Sequence, residues 1–168
     1  MFNKLRRARE DLTTMNVLFP AAEQIAHDDG IDQPAVEHLL LAALDLDDGI
    51  AKDALSAVGV SSVELRAAIA WQHEDALHSI GVAADDNAIT AAMPASGQPS
   101  GPYRSQGSLQ EAFQRAVALA KHDKASLNSG YLLLAITDAE HGTVARALQH
   151  LSTDRTELRD QTRRRLDH

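Results

Sequence analysis

The chain has 168 residues, enough for one domain with a sizeable core, and its formal net charge of −8 disfavours nucleic acid and anionic membrane as general partners. Apolar residues make up 44% but aromatics only 4%, so Ala, Leu, Ile and Val must build the core, which suits closely packed helices better than a sheet. The absence of cysteine excludes disulfides and thiolate chemistry, and no apolar run approaches the ~20 residues that span a bilayer.

The N-terminus, Met1-Phe2-Asn3-Lys4-Leu5-Arg6-Arg7, is basic with no apolar stretch behind it. It does not read as a signal peptide, and the expected compartment is the cytoplasm. Residues 3–15 are polar with scattered apolar positions and are expected to be helical in part. Val17, Leu18, Ala21, Ala22, Ile25 and Ala26 follow the spacing of an amphipathic helix. Pro20 is placed in a first turn of that helix, where its missing N–H costs nothing, and Gly30 ends it. Asp32-Gln33-Pro34 reads as the start of the next helix, a capping side chain ahead of a proline near N1, and that helix runs to about Leu46. Asp47-Asp48-Gly49 turns into a short helix ending near Gly59. Ser61 and Glu64 then stand at capping-box spacing and open a helix through Ile69 and Trp71.

Residues 71–107 read as irregular. Residues 75–82 echo residues 53–60 and suggest a partial extra repeat, one short helix and a turn. Residues 94–102 hold three of the five prolines and read as a flexible linker. Ser108 and Glu111 form another capping box, opening a helix that carries Phe113, Ala116, Val117 and Ala120. A second Leu-rich helix follows, then a short helix from Thr143, and a last helix over residues 154–166 opened by the box Asp154 and Glu157.

The strongest signal is repetition. At an offset of 93 residues, His38-Leu39-Leu40-Leu41-Ala42 lies over Tyr131-Leu132-Leu133-Leu134-Ala135 without a gap. Gly49 lies over Gly142, Ala54-Leu55 over Ala147-Leu148, and Leu65-Arg66 over Leu158-Arg159. A pattern repeated in register means two copies of one structural unit.

Motifs for chemistry are sparse. There is no G-x-x-x-x-G-K-[ST] phosphate loop and no Gly-x-Ser-x-Gly nucleophile elbow. His73 and His78, five apart, differ by ~140° around a helix and cannot face one metal. His38 beside Glu37 is either an acid/base histidine oriented by a carboxylate or a buried histidine that hydrogen-bonds across the repeat; Tyr131 at the paired position favours the second. Asp45, Asp47 and Asp48 lack the rest of a calcium loop and read as a solvated turn. Arg155, Arg159 and Arg163 line one face of a helix and could bind phosphate, but the interleaved Glu157 and Asp160 favour a salt-bridged exposed face. Trp71 and Phe113 read as core. No catalytic residue, cofactor or metal site is expected, so the chain offers surfaces for binding.

The residues that carry a family likeness are Met1-Phe2, Ala22 with Ala26, the run from Val36 to Ala42, Asp48-Gly49, Ala51 with Leu55, Gly59-Val60 and Leu65-Arg66. In the second copy they are Ala116 with Ala120, the run from Tyr131 to Ile136, Gly142, Leu148 and Leu158-Arg159. Over nearly its whole length the chain resembles the Clp N-terminal (Clp repeat) domain, the substrate- and adaptor-receiving module at the head of ClpA- and ClpC-type unfoldases. The resemblance implies an all-α fold of two four-helix repeats related by pseudo-two-fold symmetry. Repeat 1 would cover about residues 17–70 and repeat 2 about residues 108–167, within a single domain of residues 1–168 with a longer linker than usual.

The resemblance also implies a non-catalytic binding module of Clp protein quality control. Its partners would be substrates, adaptors, phosphoarginine-bearing proteins or cyclic-peptide antibiotics. The alternative is a regulatory or dimerisation scaffold with no peptide ligand, with Arg163, Arg164 and Arg165 feeding a partner. By position in the family pattern, a groove between the first helices of the repeats would be bordered by Phe2 and lined by Phe19, Pro20, Glu23, Gln114, Val117 and Lys121. Glu37 matches the acidic residue that contacts phosphoarginine in the first repeat, a role that suits a carboxylate facing a guanidinium. It equally suits a helix N-terminus, where its charge favours the dipole. Its counterpart in the second repeat is Gly130. The sequence carries no ATPase module, so the chain is expected to be either a fragment of a longer protein or a stand-alone Clp-repeat protein. The altered interior of the family motif and the arginine-rich end favour a diverged stand-alone protein or the repeat domain of a small one.

Overall fold

A computed structural model describes residues 2–79 and 105–167. Among the described residues there are eight helices and no strands: α1 (Phe2–Asp28), α2 (Val36–Leu44), α3 (Ile50–Ala57), α4 (Ser62–Ser79), α5 (Ser105–His122), α6 (Ser129–Thr137), α7 (Thr143–His150) and α8 (Arg155–Leu166). The four helices before residue 80 correspond in order to the four after residue 104.

The central pair is α2 and α6. From Glu37 to Leu44, and along the whole of α6, every residue is buried. That explains their composition, since a helix enclosed on all sides has no face to spare for charge. Each fully buried Leu contributes about 1.5–3 kcal/mol through the area it removes from water. Around this centre α1 packs on α2 and α5 on α6, while α4 packs on α7 and α3 on α8. Helices α1 and α5 therefore cover their own halves, while α3, α4, α7 and α8 join one half to the other. Ala22, Ala26, Ala116 and Ala120 are buried small residues that let α1 and α5 lie close to the centre.

Helix α1 departs from the expected break. It runs unbroken for 27 residues with Pro20 inside it. Pro20 and Asn16 are both exposed, so the carbonyl that loses its partner four residues on lies on the wet side of the helix. Burial of Leu18, Ala22 and Ala26 holds the helix on both sides of that gap. Its first half is also tied to the second repeat: Leu127 N–H donates to Asp11 Oδ1 at 2.7 Å, and Thr14 Oγ1 donates to the Leu127 carbonyl at 3.3 Å.

The end of α1 is the one expected. Gly30 adopts φ 73°, its N–H donates to the His27 carbonyl, and Ile31 N–H donates to the Ala26 carbonyl, the paired bonds of a Schellman turn. Gly59 closes α3 the same way. In the second half the equivalent positions are Lys124 and Ser152, both at φ 54°, which make the left-handed turn without the freedom of glycine.

Helix α2 begins at Val36, later than the Asp32-Gln33-Pro34 signal implies, and ends at Leu44. The chain is extended at Ala35 (φ −107°, ψ 179°), which has no polar side chain to cap with. The cap comes from inside the helix: Ala35 N–H donates to His38 Nδ1 at 2.8 Å. Ser61 and Glu64 form the expected reciprocal box, with Ser61 N–H on Glu64 Oε2 at 2.8 Å and Glu64 N–H on Ser61 Oγ at 3.2 Å. Its repeat is only half formed, because Asp154 caps α8 while Glu157 accepts from Gln161 Nε2 at 2.7 Å. Helix α5 starts at Ser105, so the Ser108–Glu111 pair lies within it. Helix α4 has no Gly or Pro and continues to Ser79, so residues 75–79 are its last turn and no separate helix. Residues 80–82 and the proline-rich 94–102 lie outside the described residues.

A polar joint between the buried Ser129 and the exposed Asp48 links the halves. Asp48 accepts from Ile50 N–H at 3.0 Å and from Ser129 N–H at 3.0 Å, covering the starts of α3 and α6 together. Ser129, fully buried, donates its hydroxyl to Asp48 and accepts from Ala51 N–H at 2.9 Å. The Asp48 carboxylate therefore belongs to this joint while staying exposed, so Asp45, Asp47 and Asp48 form the solvated turn expected, with Asp48 bonded across it. The arginine face is salt-bridged as expected, but to other elements: Arg159 pairs with Asp138 at 2.5 Å alongside Arg115, and Arg163 pairs with Asp123 at 3.0 Å. The first-half equivalent is Arg66 with Asp45 at 2.8 Å. Among the described residues no single helix is long and apolar enough to cross a membrane.

Candidate functional site

Two places on this frame carry unusual side chains. The first lies where α1 and α5 approach. The rings of Phe19 and Phe113 sit 5.0 Å apart, tilted by 59°. With Gln33 and Pro34 after α1, and Leu109 and Gln110 on α5, they line a cleft of about 470 Å³. Both phenylalanines are half-buried, so each anchors in the core and shows one edge to the cleft. Such an arrangement offers apolar walls to an inserted side chain and glutamine amides at the rim for its backbone.

Of the residues expected to line a groove, Phe19 stands in this wall. Val117 packs half-buried against the core, and Pro20, Glu23, Gln114 and Lys121 are exposed on α1 and α5. Phe2 opens α1, and its side chain lies outside the described residues. Phe113, expected in the core, packs half-buried against it and also forms the second wall of this cleft, which the expected groove lining did not include. Its signal was present: Phe113 follows Phe19 by 94 residues, the offset that also relates Ala22 and Ala26 to Ala116 and Ala120. Trp71, also expected in the core, does not belong to it. It is 45% exposed and stacks on His150 with ring centres 4.5 Å apart, because the side of α4 that carries it is only partly covered by α7.

The second place is the head of α2. Glu37 is buried in the first turn, and its Oε1 accepts from His73 Nε2 of α4 at 3.0 Å. Burial pushes the Glu37 carboxyl up, but the His73 bond, a backbone N–H and the two histidine charges together hold it below the usual range. The Glu37 bond pushes His73 up from its ordinary value, against the effect of burial. Beside them Arg146 of α7 donates to Gln72 Oε1 at 3.2 Å, bringing the second half to the same spot.

His38 is fully enclosed, and burial pushes its imidazole down. Its Nδ1 accepts from Ala35 N–H, which leaves the proton of the neutral ring on Nε2, 3.4 Å from Asp29 Oδ2 but not aligned for a hydrogen bond. The expected bond across the repeat is thus a local one. Enclosure also removes His38 as an acid/base group, since no substrate atom can reach it. Tyr131 at the paired position bonds to Asp123, and burial together with that carboxylate pushes its hydroxyl up to about 12.

The second half has no copy of the Glu37–His73 pair. The equivalent positions are Gly130 and Leu166, and a Cβ on Gly130 would lie 2.7 Å from Ile50 Cγ2 and 2.9 Å from Leu166 Cδ2. The space of the carboxylate is filled with hydrocarbon. A wider polar cleft of about 590 Å³ between α6, α7 and α8 includes Arg155 and Arg159, but these are held by the Ala139 carbonyl and by Asp138. Among the described residues no three His, Asp or Glu side chains are placed to hold a metal ion.

The fold defines the class: an all-α domain of two matching four-helix halves that share a central helix pair. The Clp repeat (R) N-terminal domain family matches residues 13–125, and the chain belongs to that family. Among solved structures it is similar to the N-terminal domain of the caseinolytic protease associated chaperone ClpD from Arabidopsis thaliana. The TM-score is 0.52 at 14% identity, over 95% of this chain and 93% of that one, a likeness of fold. No curated protein sequence matches the chain.

Proposed function

We propose that this domain is a non-catalytic protein-binding module of the Clp quality-control system, acting in the cytoplasm. On this reading it takes an apolar side chain of a substrate or adaptor into the cleft between Phe19 and Phe113. The observation that carries the reading is that each half of a family-defined double repeat contributes one phenylalanine, at matching positions, to one exposed cleft. A cyclic peptide with apolar side chains would compete for the same walls. Nucleic acid and membranes are not among the proposed partners.

Glu37 supports a narrower role. A guanidinium, as in a phosphoarginine-bearing protein, could take the place of His73 as donor to its carboxylate, through the same kind of charge-assisted bond. Only the first half has this option, because Gly130 and Leu166 occupy the other position. In the absence of such a ligand, Glu37 holds α4 against the head of α2.

Fluorescence-anisotropy titration tests the reading, with apolar peptides, arginine-phosphorylated peptides and a cyclic peptide as probes. Phe113→Ala should weaken apolar and cyclic probes at least about tenfold, the cost of a lost aromatic anchor. Glu37→Gln should affect only the phosphorylated probe. If no probe binds the wild type, the alternative of a scaffold without a peptide ligand takes its place.

A further inference from the structure

Helix α4 is apolar on two opposite sides. The inner side, with Leu65, Ala68, Ile69 and Gln72, is buried. The outer side carries Val63, Ala67, Ala70, Glu74 and Leu77, all exposed, at steps of four and three residues. Val63 is 76% exposed and Leu77 is 50% exposed. Steps of four and three keep residues in one line along a helix, which is the spacing used when two helices pack. The inner line is covered by the rest of the fold, and the outer line is open.

We propose that this line is the contact of a homodimer in which two α4 helices pack antiparallel about Ala70. A two-fold axis at Ala70 sets methyl against methyl, allowing close approach at the centre. It brings Val63 level with Leu77 of the partner subunit, each seven residues from the axis. It brings Arg66 level with Glu74 of the partner subunit, each four residues from the axis. Arg66 already holds Asp45 at 2.8 Å, so the partner's Glu74 would complete an Asp–Arg–Glu group at each end. Trp71, fixed by its stack on His150, adds a flat apolar edge beside the line. This self-complementarity in both size and charge is what two-fold pairing requires, and it is the reason for choosing a second copy as the occupant. A single helix pair is a small interface, and two copies at −8 repel, so the dimer is weak and forms only at high concentration.

The chain has no cysteine, so a single introduced thiol can report the axis. The experiment compares the full-chain variants Ala70→Cys and, as an exposed control on α3, Lys52→Cys, under mild oxidation. Sedimentation of the unmodified chain across a wide concentration range runs in parallel. The expected result is a concentration-dependent dimer and disulfide formation at least tenfold faster in Ala70→Cys than in Lys52→Cys. Both effects should be lost when Leu77→Glu is added. A monomer at every concentration, or equal rates in the two variants, overturns the proposal. So does an Ala70→Cys thiol that reacts with neither another copy nor a soluble thiol reagent, because the chain itself then covers this side of α4.

Discussion

Gly130 and Leu166 meet where, in the first half, Glu37 and His73 are bonded. One pair of equivalent positions is polar and held at 3.0 Å; the other is so tightly filled that a Cβ on Gly130 would lie 2.9 Å from the Leu166 side chain. The same backbone has been finished in two ways, with an ion-like bond at one head of the central pair and hydrocarbon at the other.

Restoring the acid at the second head should therefore fail. Gly130→Glu forces a side chain against Ile50 and Leu166 and strands a carboxylate among them, and should destabilise the fold by about 2–4 kcal/mol. Urea unfolding measures the loss. A variant as stable as the wild type would show that α3 and α8 yield easily there.

The polar head should show itself in pH dependence. His73 is raised on folding, so its contribution is complete below its unfolded value near 6.5 and disappears as pH rises through its folded value. Glu37 is lowered, so its contribution is present above about 4.5 and lost on further acidification. The bond thus stabilises most between those limits, and His73→Gln should cost more at about pH 5.5 than at about pH 8. His38 has the opposite sign: it folds neutral with a lowered value, so its contribution is present above about 6.5 and is lost as pH falls. In His73→Gln, stability should then rise from about pH 5.5 and level off above about pH 7, as read from urea midpoints.

The left-handed turns offer a stabilising test. Lys124 and Ser152 stand where the first half uses Gly30 and Gly59, so Lys124→Gly and Ser152→Gly should each stabilise by about 1 kcal/mol. Thermal melts should rise for each, by roughly 2–4 °C at this chain length. Gly59→Ala should move the melt the other way.

The joint between halves should be costly to cut. Ser129→Ala leaves the Ala51 N–H without its buried acceptor and removes the hydroxyl from Asp48, a loss of about 2–3 kcal/mol. Ser126 Oγ bonds to Glu10 at 2.5 Å in a more exposed setting, so Ser126→Ala should cost under about 1 kcal/mol. Chemical denaturation of the two variants side by side separates a buried link from an exposed one.

Much of this frame was legible beforehand. The Leu-rich runs from His38 and Tyr131 are the buried centre, and Gly30 and Gly59 end their helices, because apolar periodicity and left-handed glycine are properties of a few adjacent residues. Pro20 was not legible as a helix-interior residue, since its tolerance depends on the exposure of Asn16 and on packing on either side. His38 as the cap of α2 was also hidden: the Asp32 signal is a common one, while a histidine reaching back to Ala35 depends on the extended path through Pro34. Phe113 is legible as the partner of Phe19 through the offset of 94 residues that separates them.

By itself the sequence determined that one structural unit occurs twice, most of the residues that form its core, and where most of its helices end. Those are consequences of local spacing and of composition. Only the tertiary structure decided that Glu37 meets His73, that Asp48 meets Ser129, that Phe19 faces Phe113, and that Leu166 fills the space over Gly130. Each of these partners comes from a distant helix, and a buried polar group or an exposed ring is matched by what the packing of whole helices brings beside it.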